Sequence, residues 1–281
     1  MITIHHLCFR YGRRPPLFDQ LNWQLLPGCV VGLFGKNGSG KTTLLKILGG
    51  LRFPTSGQCR VLNHQPAERT PAFLQQVYFV SEEPGESRAR MQAYVRHYAP
   101  FYPRFDADYL HQLLRDFQLD IGERLSNLSY GQRKKFFIAF ALATNCPLLL
   151  MDEPTNGLDI PSKRQFRRMV AAAMTEGRTL IISTHQVPDL ETLIDRVVML
   201  DRGRIIFNQT TDEIATNYRF DPDRTTLPET TLYQEEALGR YQTLTINPSQ
   251  TPSRVNLELL FNAVMAHPEN FTNLTPDEQP L

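Results

Sequence analysis

Residues 35–42 read Gly35-Lys36-Asn37-Gly38-Ser39-Gly40-Lys41-Thr42, three glycines followed by a cation and a hydroxyl. Glycines at those positions let the backbone curl until several N–H groups point at one spot, which makes a receptor for phosphate oxygens. Lys41 adds a point charge of the kind that reaches β- and γ-phosphates. The Thr42 hydroxyl is a hard oxygen donor suited to Mg²⁺. Further along stand two neighbouring acids, Asp152 and Glu153. Asp152 is suited to hold the metal, directly or through water, and Glu153 to polarise an attacking water as general base. His185 is suited to touch the terminal phosphate and keep water and Glu153 in line. Together these types and this order describe the handling of a nucleoside triphosphate.

The side chains can act together only if the chain brings them to one place. Val30-Val31-Gly32-Leu33-Phe34 reads as a buried strand. The segment 42–48 reads as a helix with Leu44, Leu45, Ile47 and Leu48 on its apolar face, ended by Gly49-Gly50. Leu148-Leu149-Leu150-Met151 has the length of a buried central strand, and Leu180-Ile181-Ile182-Ser183-Thr184 is another. In open α/β sheets, ligands bind beyond the carboxyl ends of the strands. Lys41, Asp152, Glu153 and His185 are therefore expected at one sheet edge. Each has a plainer reading alone: a glycine-rich turn, a solvated acidic turn, a surface histidine. Their co-occurrence carries the functional reading.

Between the phosphate loop and the acids lies Leu128-Ser129-Tyr130-Gly131-Gln132. With that pentapeptide the chain resembles the ATP-binding cassette family, as the nucleotide-binding subunit of a transporter. Tyr11 stands where the family has an aromatic residue that stacks on adenine. The phosphate loop follows, then Glu82 at the position of the Q-loop glutamine, then the signature at 128–132. Asp152-Glu153, an Asp-loop at 156–159 and the switch histidine His185 complete the order. The resemblance runs to about residue 215.

The resemblance implies an α/β fold: a P-loop NTPase core with a mixed sheet, an antiparallel β edge and a helical signature subdomain at about 84–145. Residues 1–218 would form the cassette and 219–281 a C-terminal extension. ATP would be held by Tyr11, Gly35, Lys36, Asn37, Gly38, Ser39, Gly40, Lys41, Thr42 and Thr43. Ser129, Gly131 and Gln132 would close over ATP bound to a second subunit, in a head-to-tail homodimer. Mg²⁺ would be held by Thr42, Asp152 and Glu82. The implied partner is an integral-membrane permease, with the chain peripheral on the cytoplasmic face of the cell membrane. Spacing around Phe101-Tyr102-Pro103-Arg104-Phe105-Asp106 looks like the bacterial export-type branch. The alternative is a soluble cassette ATPase of DNA repair, chromosome maintenance or translation. No sustained heptads of a repair-type coiled coil are visible, nor the second cassette usual in translation members.

Two positions depart from the commonest family pattern. Tyr130 replaces the first glycine of the signature and is expected to be tolerated, its ring turned away from nucleotide. Glu82 replaces a glutamine that can both donate and accept, whereas an ionised glutamate only accepts. It either ligates Mg²⁺ or its water, or is a solvated loop acid like its neighbour Glu83. The run Gln132-Arg133-Lys134-Lys135 gives the helix after the signature a basic first turn, which suits an anion brought to that end.

With 281 residues, 41% of them hydrophobic, the chain is long enough for one large α/β domain with appendages. Helices are expected over 88–98 and 106–117, separated by Pro100-Phe101-Tyr102-Pro103. The aromatic run from Tyr98 to Tyr102 either packs in the core or docks a partner's coupling helix. Asp221-Pro222-Asp223 reads as a linker. Residues 232–235 and 241–246 read as a hairpin around Gly239. Val255, Leu257, Leu260, Phe261 and Val264 suggest an amphipathic helix, and the tail from Pro268 reads as polar and loose. A net charge of +1 gives no broad field for nucleic acid. The four cysteines lack a CxxC pair and read as small buried side chains in a reducing compartment. No signal peptide is visible. The longest apolar stretch is broken by Thr144-Asn145 and Pro147, too soon to span a bilayer, so a channel must come from another polypeptide. No internal repeat suggests a tandem pair of cassettes.

Overall fold

The structure is a computed structural model and describes residues 1–271 except 84, 86, 227, 229 and 238. In chain order the strands are β1 (Ile2–Phe9), β2 (Phe18–Leu25), β3 (Val30–Phe34), β4 (Ser56–Val61), β5 (Val77–Val80) and β6 (Leu148–Asp152). They continue with β7 (Thr179–Thr184), β8 (Arg196–Asp201), β9 (Arg204–Thr210), β10 (Tyr218–Arg224), β11 (Thr231–Ala237) and β12 (Arg240–Ile246). The helices are α1 (Lys41–Leu48), α2 (Pro71–Leu74), α3 (Met91–Tyr98), α4 (Ala107–Asp116), α5 (Tyr130–Ala143), α6 (Ile160–Ala173), α7 (Thr211–Asn217) and α8 (Leu257–Ala266).

The central sheet has the order β5-β6-β7-β3-β8-β9. Its first five strands pair in parallel, and β9 joins β8 antiparallel. The mixed sheet and antiparallel edge agree with the expected α/β fold. β3, β6 and β7 are buried at every position, as strands covered on both faces must be. The pleat sends alternate residues to opposite faces. Val30, Phe34, Leu149, Met151, Leu180 and Ile182 join one apolar cluster. Val31, Leu33, Leu148, Leu150 and Ile181 join the other, with α1 and the separate antiparallel sheet β2-β1-β4. Register pairs Phe34 with Thr184, and Asp152 with Ser183. The loops after β3, β6 and β7 therefore leave the sheet at the same level.

The helical arm is α3, α4 and α5. α3 starts later than the sequence suggests. Arg90 bridges Arg124, and the first amides of α3, Met91 and Gln92, donate to Glu123 O and Ile121 O. That neighbouring loop satisfies the backbone that a longer helix would have satisfied itself. Asp106 caps α4 by accepting from Tyr109 N at 2.8 Å. The aromatic run divides: Tyr102 packs against Tyr78 and Phe140, while Tyr98 and Phe101 stay exposed. Among the described residues no helix is long and apolar enough to cross a membrane.

Two expectations about the C-terminal segment need correction. Asp221-Pro222-Asp223 lies within β10, an edge strand of the sheet β10-β12-β11. An edge tolerates proline, and the register shifts between Asp221 and Arg224 to accommodate it. The segment from Pro268 is not loose at its start, because Phe271 is wholly buried against Phe207 and Tyr218. The remainder of that tail, 272–281, lies outside the described residues. The hairpin is present as β11 and β12, and the amphipathic helix as α8, which packs on both strands. All four cysteines are free, but only Cys59 and Cys146 are buried, with Cys8 and Cys29 half-buried.

Candidate functional site

The loop after β3 depends on glycine at its two ends. Gly40 has φ 111°, and a Cβ there would come within 2.8 Å of the Phe18 ring. A Cβ on Gly35 would sit 2.3 Å from Leu200 O and 2.6 Å from Ser39 Oγ. Neither position admits a side chain. Gly40 also caps α1 without a side-chain acceptor, so the amides at that end keep their capacity for an anion. Ser39 Oγ is buried and has no partner.

Lys41 folds back over the loop, its Nζ donating to Gly35 O at 2.7 Å and Lys36 O at 3.2 Å. Burial lowers its pKa, against the pull of Glu153, Asp152 and Glu82. At the end of β6, Asp152 Oδ1 accepts from Thr42 Oγ1 at 3.0 Å and Ser183 Oγ at 2.6 Å. Glu153 has φ 45°, a left-handed conformation that costs a non-glycine residue on the order of 1–3 kcal/mol. Its amide donates to Ser183 O at 3.1 Å. Its Oε1 meets His185 Nδ1 at 2.8 Å, while Oε2 is buried and unpartnered. Tyr11 hydrogen-bonds Thr43 Oγ1 through its hydroxyl at 2.9 Å and packs edge-on against Phe9.

Tyr11, Asn37, Gly38, Lys41, Thr42, Thr43, Glu82, Glu153, Asn156 and His185 are among the residues that line one open cleft of about 740 Å³, with the buried Asp152 behind Thr42. The cleft suits a triphosphate. It has curled amides, a lysine whose Nζ is held by two carbonyls and a half-exposed aromatic ring at its rim. Mg²⁺ fits as well, since it takes one or two protein oxygens and completes its shell from phosphate and water. Thr42 Oγ1 and Asp152 are hard donors already in contact.

The signature is not in this cleft. Ser129 Oγ accepts from Gln132 N at 3.2 Å, and Gln132 Oε1 accepts from Ser129 N at 2.9 Å, a reciprocal cap on α5. Gly131 follows in the first turn of the helix, beside Gly157. Tyr130 does turn its side chain to its own chain, its hydroxyl donating to Glu82 O at 2.7 Å. Glu82 Oε1 accepts from Asn156 Nδ2 at 3.0 Å, so Glu82 has a protein partner that the sequence did not suggest. Lys134 also differs from expectation. Instead of meeting an outside anion, it is fully buried, with Nζ donating to Glu153 O and Asn156 O. The sequence signal was faint: Lys134 lies one turn after Tyr130, on the face that carries the buried Ile138.

Residues 18–156 match the ABC transporter family. The chain is 32% identical over 223 residues to the daunorubicin resistance ATP-binding protein DrrA3 of Streptomyces coeruleorubidus, covering 76% of this chain and 69% of that protein. It is 31% identical over 227 residues to the ATP-dependent lipid A-core flippase of Alkalilimnicola ehrlichii, where the match covers 76% of this chain but spans only 38% of the relative. A solved ATP-binding subunit of an ABC transporter superposes with a TM-score of 0.69 at 26% identity, over 76% of this chain and 91% of that one. Phosphate loop, paired acids and histidine meet at one sheet edge in a chain with these relatives, and it belongs to the ABC transporter family as an ATP-binding, ATP-hydrolysing cassette.

Proposed function

We propose that this cassette pairs head to tail with a second copy around two ATP and drives a separate integral-membrane permease, as an exporter. Residues 1–218 would be the cassette, with the arm at about 84–145 facing the membrane partner, and 219–281 an appended unit. The chain would lie on the cytoplasmic face of the membrane. The observation that carries the reading is the arrangement at Glu153. His185 engages Oε1 of a residue that lines the cleft, and Oε2 is left buried and without a hydrogen-bond partner.

In this mechanism Tyr11 stacks on the base, and the loop amides with Lys36, Asn37, Ser39 and Thr43 grip the phosphates. Lys41 exchanges its two carbonyls for β- and γ-oxygens. Bound Mg²⁺ would draw charge from those oxygens, with Thr42, Asp152 and Glu82 as its holders. Glu153 Oε2 takes a proton from the attacking water, while His185 fixes the carboxylate and meets the γ-phosphate. Ser129, Gly131 and Gln132 stand at the N-terminus of α5, outside the chain's own cleft, and would cap the γ-phosphate held by the partner copy. Cleavage of the bridging phosphate would let the pair part. The export direction is supported by relatives described as a lipid A-core flippase, a daunorubicin resistance protein and an α-hemolysin translocation protein.

Glu153→Gln is expected to bind ATP normally, slow turnover by about a hundredfold or more and accumulate a closed pair; turnover near wild type excludes Glu153 as base. Ser129→Arg is expected to keep ATP binding to a single chain and lose ATP-induced pairing in sedimentation. A normal ATP-induced dimer would refute the shared site.

A further inference from the structure

Lys134 is fully buried, although a buried ammonium is costly unless its donors are all met. Here they are. Nζ donates to Glu153 O at 2.5 Å, Asn156 O at 3.0 Å and the Tyr130 hydroxyl at 3.3 Å. Three donors find three acceptors, and the acceptors belong to different segments. Glu153 closes the end of β6, Asn156 sits in the turn beyond it, and Tyr130 opens α5. The network extends one step further. The Tyr130 hydroxyl donates to Glu82 O, and Asn156 Nδ2 to Glu82 Oε1. Tyr130's ring also fills the space over Gly157, where an added Cβ would lie 2.6 Å from the ring edge.

The carbonyl nearest Lys134 is that of Glu153, whose backbone is in the left-handed region. Such a conformation persists only where the surroundings fix it. The two peptide planes that flank the Glu153 Cα, and with them the root of its side chain, are each held by a hydrogen bond: the amide on Ser183 and the carbonyl on Lys134. A carboxylate displaced by an ångström loses much of its value as a base.

We infer that Lys134 is a positioning residue for ATP hydrolysis: it holds the Glu153 carbonyl and, through Tyr130, fastens the signature helix to the loops that carry Glu153, Asn156 and Glu82. The inference rests on Glu153 being the general base. The signature helix and the hydrolytic acid of the same chain then form one mechanical unit, so a displacement of α5 reaches the base through a single ammonium.

The test uses the purified full chain with three variants. Lys134→Met keeps the length of the stem and removes every donor. Lys134→Gln restores donors without charge, and Tyr130→Phe removes only the hydroxyl. Steady-state ATPase, binding of a fluorescent ATP analogue and thermal unfolding are measured for each. Lys134→Met is expected to lower kcat at least about tenfold, leave KM and analogue binding within about twofold, and melt no earlier than wild type. Lys134→Gln is expected to recover most of that loss. Tyr130→Phe is expected to lower kcat a few-fold alone and to add little on top of Lys134→Met, as members of one network do. A wild-type kcat in Lys134→Met, or a Gln variant as slow as the Met variant, overturns the proposal. Should Lys134→Met not fold, Tyr130→Phe decides, and wild-type kcat there overturns it. Glu153→Gln is assayed in parallel. Normal turnover there removes Glu153 as base whatever Lys134 does. A slow Glu153→Gln beside a normal Lys134→Met removes the positioning role alone.

Discussion

Lys41 and Lys134 are two lysines sunk beside the same carboxylates, and burial lowers the pKa of both. For Lys134 the result is a pKa of about 8, with Glu82, Glu153 and Asp152 pulling it upward against the dominant desolvation. An unfolded lysine titrates near 10.4. Between those values the unfolded chain binds more protons than the folded one, so stability rises with pH. Below about pH 8 both states are charged and the burden of burying the ammonium is felt in full. The unfolding free energy of wild type minus that of Lys134→Met should therefore stay level up to about pH 8 and climb toward about pH 10. Denaturant melts across that range check it, and a difference that stays level throughout would show that the folded ammonium is not desolvated. The residue also marks the limit of what the sequence discloses. Phosphate loop, acids and histidine were legible because their types and order are diagnostic. Lys134 stands between Arg133 and Lys135 and reads as part of a basic first turn that suits an outside anion. Its burial follows from the phase of α5 against the β6 loop, which no local pattern states. The same is true of Glu82, where the sequence showed an unusual acid but not its Asn156 partner.

Elements were readable where hydrophobic periodicity was strong, and misread where a breaker residue had a tertiary use. β3, β6 and β7 announced themselves as continuous apolar runs, and their common carboxyl edge followed from the fold rule for parallel sheets. Pro222 read as the end of structure because proline forfeits a ladder donor. On an edge strand that donor has no neighbour to serve, so β10 forms around it. α8 shows how the extension is attached. Its first amides are satisfied from two sides: Asn256 Oδ1 accepts from Leu259 N at 2.9 Å, and Glu191 Oε1 from Leu257 N at 3.1 Å. The second acceptor belongs to the segment following His185, so the helix cap doubles as an anchor to the core. Asn256→Ala should cost about 1 kcal/mol. It should also speed amide hydrogen exchange through Leu260 and Ala263, leaving the amides of β3 and β7 protected. Unchanged exchange in α8 would mean that packing against the hairpin, not the cap, holds its N-terminal turn.

At the scale of the whole molecule, the question is whether the extension is a passenger or part of one folding unit. The apolar interior divides into two clusters on opposite faces of the central sheet. Phe271, Leu244 and Leu260 of the extension belong to the same cluster as Tyr218, Phe136, Phe140 and Leu149. Trp23, the only tryptophan, belongs to the other. The strands between them contribute residues to both, so loosening one face should be felt on the other. Phe271→Ala removes a ring with no exposure, and a change of that kind costs about 3–5 kcal/mol. The informative readout is Trp23 fluorescence in a denaturant titration, because Trp23 lies across the sheet from the deleted ring. If the chain unfolds as one unit, the Trp23 midpoint falls together with the far-ultraviolet circular dichroism midpoint, with the slope of each transition unchanged. If the extension melts on its own, circular dichroism develops an early step and the Trp23 transition stays at its wild-type position. Coincident midpoints are expected, because buried residues of the extension share one apolar cluster with the helices that cover the sheet.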